Sequence, residues 1–153
     1  MIAGAQVSEP SRTSQQGIDL IKSFEGLELK AYYCASSILT IGYGHTQNVF
    51  EGQLITESDA EELLRKDLMW FEEQVSTIIL PVLTQPEFDA IVSFAFNVGS
   101  SALANSTFTR RINNGEKKAL CFQQEFPKWV NGSNGPLLGL VRRRNAEIKM
   151  ATN

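Results

Sequence analysis

Three side chains near the start of the chain could do chemistry together: Glu25, Cys34 nine residues on, and Thr40 six further. A carboxylic acid, a soft sulfur and a hydroxyl at these offsets suit the cleavage of a glycosidic bond. That reaction needs a proton for the departing oxygen. It also needs, on the opposite face of the sugar, a group that attacks the anomeric carbon or holds water. Glu25 falls at the end of an expected helix, where the macrodipole disfavours a negative charge. Partial burial beside Phe24 and Tyr32 would raise its pKa further. Cys34 could act as a thiolate nucleophile or orient water, with the Thr40 hydroxyl as its helper. Each residue also has a plainer reading: a surface glutamate, a small buried cysteine, an ordinary strand threonine. On position alone the plainer readings are the commoner ones.

His45 is the only histidine. A structural role is expected for it, with Asp67 on the following helix as partner. Such a pair would raise the pKa of the ring, and its contribution to stability would be lost as pH rises through that value.

The elements that must position these groups can be read from periodicity. Residues 1–13 are small, polar and Pro-containing, and read as a loose arm. Ser14 can cap a helix over 15–25, with Ile18, Leu20 and Ile21 spaced for one face, Phe24 extending it, and Gly26 in the left-handed position past its end. Residues 30–55 are rich in β-formers, and Gly42 and Gly44 imply special dihedrals or close backbone approach. A small twisted antiparallel sheet is expected there, completed near Leu54-Ile55. Thr56 with Asp59 resembles a capping box at the start of a long helix over 57–79. Residues 88–98 are apolar on almost every side, which marks a buried helix that Gly99 stops. Helices over 107–113, 116–130 and 137–150 follow, with a loop over 131–136. This divides one domain of 153 residues into the arm, a β-rich part over about 14–56, a linking helix over 57–79 and a helical part over about 80–153.

The net charge of −3 conceals an asymmetry. Residues 1–76 carry 5 basic and 12 acidic side chains, and residues 77–153 carry 9 basic and 5 acidic. At a pI near 5.2, without a basic stripe interleaved with aromatics, nucleic-acid binding is not expected. Two cysteines, Cys34 and Cys121, make neither a metal site nor a disulfide framework, and spacing alone leaves open whether they pair. No transmembrane run is present, and Met1–Pro10 lack the basic and apolar regions of a signal peptide, so no export signal is expected. There is no phosphate loop, no His-Glu-x-x-His and no Gly-x-Ser-x-Gly.

Several stretches together resemble one family. They are Gly17-Ile18 through Phe24-Glu25-Gly26, Ala31-Tyr32, Leu39 through Thr46, and Asp59 through Leu64 with Asp67. Phe94 through Gly99 and Gly139 through Arg144 with Glu147 continue the series. In order and content they are similar to the phage-type lysozymes, the glycoside hydrolases related to the T-even phage lysozyme. The resemblance implies an α+β, lysozyme-like fold with a small sheet joined to a helical part by a long helix. It implies a catalytic set of Glu25, Cys34 and Thr40, with Cys34 where the commoner family pattern has Asp. Gly44, His45 and Thr46 would line one wall of a cleft and Phe96 and Asn97 the other, with one of Arg142, Arg143 and Arg144 approaching Glu25.

The implied activity is that of a muramidase cutting the β-1,4 bond between N-acetylmuramic acid and N-acetylglucosamine in peptidoglycan, for phage lysis of a host. No cofactor or metal is implied, the partner is the glycan strand, and a monomer that does not insert stably in a membrane is expected. From the host cytoplasm such a chain would reach the wall through a separate pore. The rival readings are a lytic transglycosylase, and a wall-binding protein of the same fold without catalysis.

Overall fold

The computed structural model describes residues 9–153. Its first element is α1 (Gln15–Phe24), capped by the Ser14 hydroxyl, which accepts from the N–H of Gly17 at 3.2 Å. The helix buries Gly17, Ile18 and Ile21. The arm read over 1–13 lies outside the described residues through position 8, and its far end is not loose. The Thr13 N–H and hydroxyl both donate to Oε2 of buried Glu72 at 2.7 Å, and the Ser14 N–H donates to Asp89 at 3.0 Å. These two acids, which no spacing rule singles out, bind the start of α1 to two later helices.

The chain leaves α1 at Glu25 in an extended conformation, φ −92° and ψ 135°. The left-handed turn expected at Gly26 is absent: Gly26 is not among the residues with positive φ. The break comes one residue earlier, and the chain runs straight into β1 (Glu28–Tyr33), which pairs antiparallel with β2 (Leu39–Gly42). Tyr32 faces Thr40 and Tyr33 faces Leu39, with an irregularity in register between Glu28 and Tyr32. Leu54 bridges to Lys30, which completes the sheet where the sequence suggested. Gly42 and Gly44 have φ of +68° and +85°, the region where a side chain is strained. They let the strand fold back so that Ile41 and His45 exchange both backbone hydrogen bonds at 2.9 Å.

Helix α2 (Glu57–Ile78) starts on the expected capping box, with the Thr56 and Asp59 side chains each bonded to the other's backbone. It packs against both β2 and α3 (Gln85–Val98). Helix α3 is buried along most of its length and is the centre of the core, with α1 and α7 (Leu138–Thr152) lying on it. Phe94 stacks on Phe126 at 4.3 Å between ring centres, and Phe108, Phe122 and Trp129 close the aromatic cluster. Gly99, at φ +100°, ends α3 as expected.

Short helices α4 (Ser100–Ala104), α5 (Thr107–Asn113) and α6 (Lys118–Glu125) follow. The helix expected over 116–130 is shorter, because Pro127 turns the chain into a single 3₁₀ turn at Phe126–Lys128. The loop expected over 131–136 is a small hairpin of β3 (Asn131–Gly132) and β4 (Gly135–Pro136), its neck closed by the Leu137 N–H on the Val130 carbonyl at 2.8 Å.

Candidate active site

Glu25 takes its place from the end of α1. Its side chain is partly buried and lines a groove of ≈ 380 Å³ with Phe24, Asn97, Leu137, Gly139, Leu140 and Arg143. Of the three consecutive arginines it is Arg143 that reaches it, with Nη1 donating to Oε1 at 2.8 Å. The same guanidinium donates from Nη2 to the Ser93 carbonyl at 3.1 Å and stands over the Phe24 ring. Its Nε approaches Oε2 of Glu147 at 3.4 Å, and the Ser93 hydroxyl donates to that oxygen at 2.6 Å. Glu147 and Arg144 are fully buried. Nε of Arg144 stands 2.9 Å from Oε1 of Glu147 without the alignment of a hydrogen bond, and its carbon centre lies 4.9 Å above the Phe94 ring. Burial pushes the Glu147 carboxyl up, against the pull of Arg144, Ser93 and Arg143.

Cys34 and Thr40 come together on the hairpin. The chain turns at Ser37, whose φ is +60°, and the Cys34 and Ser37 backbones bond within the turn. Thr40 is buried, and its hydroxyl donates to the Ile38 carbonyl at 2.8 Å. The backbone N–H groups of Ile38 and then Ser36 favour the Cys34 thiolate, with the Thr40 hydroxyl a smaller influence. Together they hold the thiol below its usual value against the opposing effect of burial. Cys121 is the contrast: it is buried in the aromatic core, which pushes its thiol up. Both cysteines are free in this structure.

Gly44, Thr46 and Phe96 line a second groove of ≈ 420 Å³, with Gln47, Lys66, Asp67, Trp70 and Phe71. Phe96 and Asn97 are consecutive on α3, with Phe96 lining the second groove and Asn97 the groove of Glu25. Asn97 accepts from Nη2 of Arg144 at 2.7 Å, which fixes its amide. His45 stands apart. Its Nδ1 lies 2.9 Å from Asp67 and its Nε2 lies 2.8 Å from the Gln47 carbonyl, so both ring nitrogens are engaged within the fold. It lines a neighbouring hollow with Asn48, Gln53 and Leu63 that shares Gln47, Lys66 and Asp67 with the second groove.

A partly buried carboxyl on the wall of a groove is the setting of a glycosidase acid, while Cys34 and Thr40 lie on the hairpin and not among the residues lining that groove. The family described as Phage lysozyme matches residues 22–147. The chain belongs to the phage lysozyme family. The endolysin of Acyrthosiphon pisum secondary endosymbiont phage 1 is 44% identical over 138 residues, 88% of this chain and 93% of the relative. The endolysin of Bacillus phage B103 is 46% identical over 137 residues, 88% of this chain, and there the chain spans 51% of the relative. Among solved structures, a mutant of the P22 lysozyme superposes with a TM-score of 0.83 at 35% identity, covering 93% of this chain and 99% of that one. The α+β lysozyme-like fold expected from the sequence is therefore the fold of the phage lysozyme family, and its members are glycoside hydrolases of the lysozyme class, acting on peptidoglycan.

Two features escaped the sequence. The choice among Arg142, Arg143 and Arg144 depends on the rotation of α7, which residue types do not set. Trp70, half-exposed beside Phe96, carried a signal that could have been used. The buried face of α2 runs through Ala60, Leu64, Leu68 and Val75, and the tryptophan falls off that stripe.

Proposed function

We propose that the chain is an endo-acting muramidase of phage lysis, in which Glu25 protonates the leaving oxygen of the β-1,4 bond between N-acetylmuramic acid and N-acetylglucosamine. The setting of Glu25 carries the reading: a partly buried carboxyl on the wall of a groove, with one oxygen held by Arg143. Oε2 would carry the proton. As the bond from the anomeric carbon to oxygen breaks, the proton passes to the departing sugar. The anomeric carbon then takes either the Cys34 thiolate, displaced later by a water whose proton returns to Glu25, or a water held by Thr40 whose proton passes to the Cys34 thiolate. Gly44, Thr46 and Phe96 would hold sugar rings along the second groove, and Asn97 would bond an N-acetyl group. His45 is proposed to serve by fixing the turn that presents Gly44 and Thr46.

The reading extends to the division of the chain into a β-rich and a helical part about the cleft, to a monomeric state, and to passage from host cytoplasm through a separate pore. No described helix is long and apolar enough to cross a membrane.

A turbidity assay on purified peptidoglycan tests the reading, run with and without reductant on the parent chain, Glu25→Gln and Cys34→Ser. Glu25→Gln is expected to lose nearly all clearing, and parental rates in that variant would overturn the acid assignment. Mass spectrometry of the products is expected to show addition of one water per cut, whereas anhydro-muramic ends would indicate a transglycosylase.

A further inference from the structure

An indole on a helix surface normally lies down against its neighbours, but Trp70 stands 53% exposed. It is braced from behind, with its ring meeting Phe71 edge-on at 5.0 Å and Phe71 meeting Phe96 edge-on at 5.4 Å. The row runs from Phe96, on the wall of the second groove, out to the indole. Trp70 lines the groove of Gly44, Thr46 and Phe96 on one side. On the other it lines a further groove of ≈ 590 Å³ with Arg12, Lys66, Met69 and Glu73. Polar residues share its groove: Thr46, Gln47, Lys66 and Asp67.

A flat apolar face within a polar rim matches a pyranose, whose axial C–H bonds make one apolar face and whose hydroxyls and acetamide point outward. We propose that Trp70 is a saccharide-stacking platform that extends the glycan cleft beyond Phe96, with Thr46, Gln47 and Lys66 bonding the polar substituents of the stacked sugar. The proposal rests on the muramidase reading. It adds a binding residue on α2 that takes no part in the chemistry. Continuity with the cleft favours a sugar over the peptide stem, because a strand threaded past Phe96 meets the indole next.

The full chain carrying Glu25→Gln holds a ligand without cutting it, and the probe is the hexamer of N-acetylglucosamine. Of the two tryptophans, Trp129 is packed in the aromatic cluster, so the half-exposed Trp70 should supply the ligand response. Adding the hexamer is expected to shift tryptophan emission to the blue. The shift should persist in Trp129→Phe and vanish in Trp70→Phe. Trp70→Ala, in the same background, is expected to weaken hexamer binding by about twofold to tenfold, the range open to one aromatic contact, with Trp70→Phe between it and the parent.

With Glu25 restored, Trp70→Ala should raise KM on cell walls by a similar factor and leave kcat and the melting temperature near parental values. Parental affinity and KM in Trp70→Ala would overturn the proposal, as would an emission response to free stem peptide but not to the hexamer. A fall in kcat or melting temperature without a change in hexamer affinity would assign Trp70 a structural role and also overturn it. Failure of the parent chain to clear walls would instead count against the muramidase reading.

Discussion

Arg143 joins Glu25 to Glu147: its Nη1 donates to one carboxylate at 2.8 Å while its Nε lies 3.4 Å from the other, which has no exposed surface. The candidate acid is thus set by a chain of contacts that ends in the core, on Ser93 of α3. Removing one partner of such a buried group leaves the remaining charges uncompensated, which is more costly than never having buried them. Glu147→Gln is expected to lower unfolding free energy by about 3–5 kcal/mol, the range for breaking a buried ion pair. Urea denaturation measures it, and a loss below about 1 kcal/mol would mean that Arg143 and Arg144 find other partners.

Arg143→Lys keeps the charge and loses the fork that reaches Glu25, Ser93 and Glu147 together. If the fork orients Glu25, kcat on cell walls should fall about tenfold or more while KM changes little. Equal loss in both parameters, or none, would argue that Arg143 acts only on folding.

The two thiols should titrate on opposite sides of the ordinary cysteine value. N–H groups of Ile38 and Ser36 favour the Cys34 thiolate, so its folded pKa lies below that of a free thiol, and burial puts that of Cys121 above it. The thiolate is the reactive form. Alkylation of Cys34 by iodoacetamide should therefore reach half its limiting rate at a lower pH than a cysteine peptide does, with Cys121 unmodified in the folded protein. Mass mapping over a pH series checks both, and a Cys34 midpoint at or above that of the peptide would refute the assignment.

Thr40→Val preserves shape and removes one hydroxyl. The Ile38 carbonyl keeps the Cys34 N–H as a donor at 3.0 Å, so the stability loss should stay within about 1.5 kcal/mol. If Thr40 helps Cys34, clearing should nonetheless drop by about tenfold or more. Unchanged clearing at unchanged stability would remove Thr40 from the mechanism.

Gly17 has no room for a side chain. A Cβ there would sit 2.6 Å from Cγ2 of Thr13 and 2.7 Å from Cγ of Asp89. Gly17→Ala is expected to cost about 1–3 kcal/mol by forcing those groups apart. The melting temperature should fall while the kcat of the folded fraction holds. An unshifted melt would show that the junction of α1 with α3 can yield.

What the sequence made legible was mostly local. Caps at Ser14 and Thr56, the all-round apolar run of α3 and the run of β-formers around Thr40 each follow from the residue and its near neighbours. The pairing of Cys34 with Thr40 was readable because a hairpin turns spacing into proximity. Gly26 misled because a glycine after a helix suits a left-handed cap, whereas here the chain is drawn straight into β1. Nothing local marks Glu72 or Asp89, yet both are buried beneath the segment that enters α1. Arg143 was hidden for the same reason: its partner lies 118 positions away, and helix rotation chose it over its two neighbours.

The hairpin over 131–136 ends at Leu137, which borders the Glu25 groove, and its neck is closed independently of its tip. Its two-residue tip, Ser133-Asn134, can thus lengthen without moving a helix. Grafts between Gly132 and Gly135 are therefore a way to roof the groove beside Glu25 while the core is left as it stands.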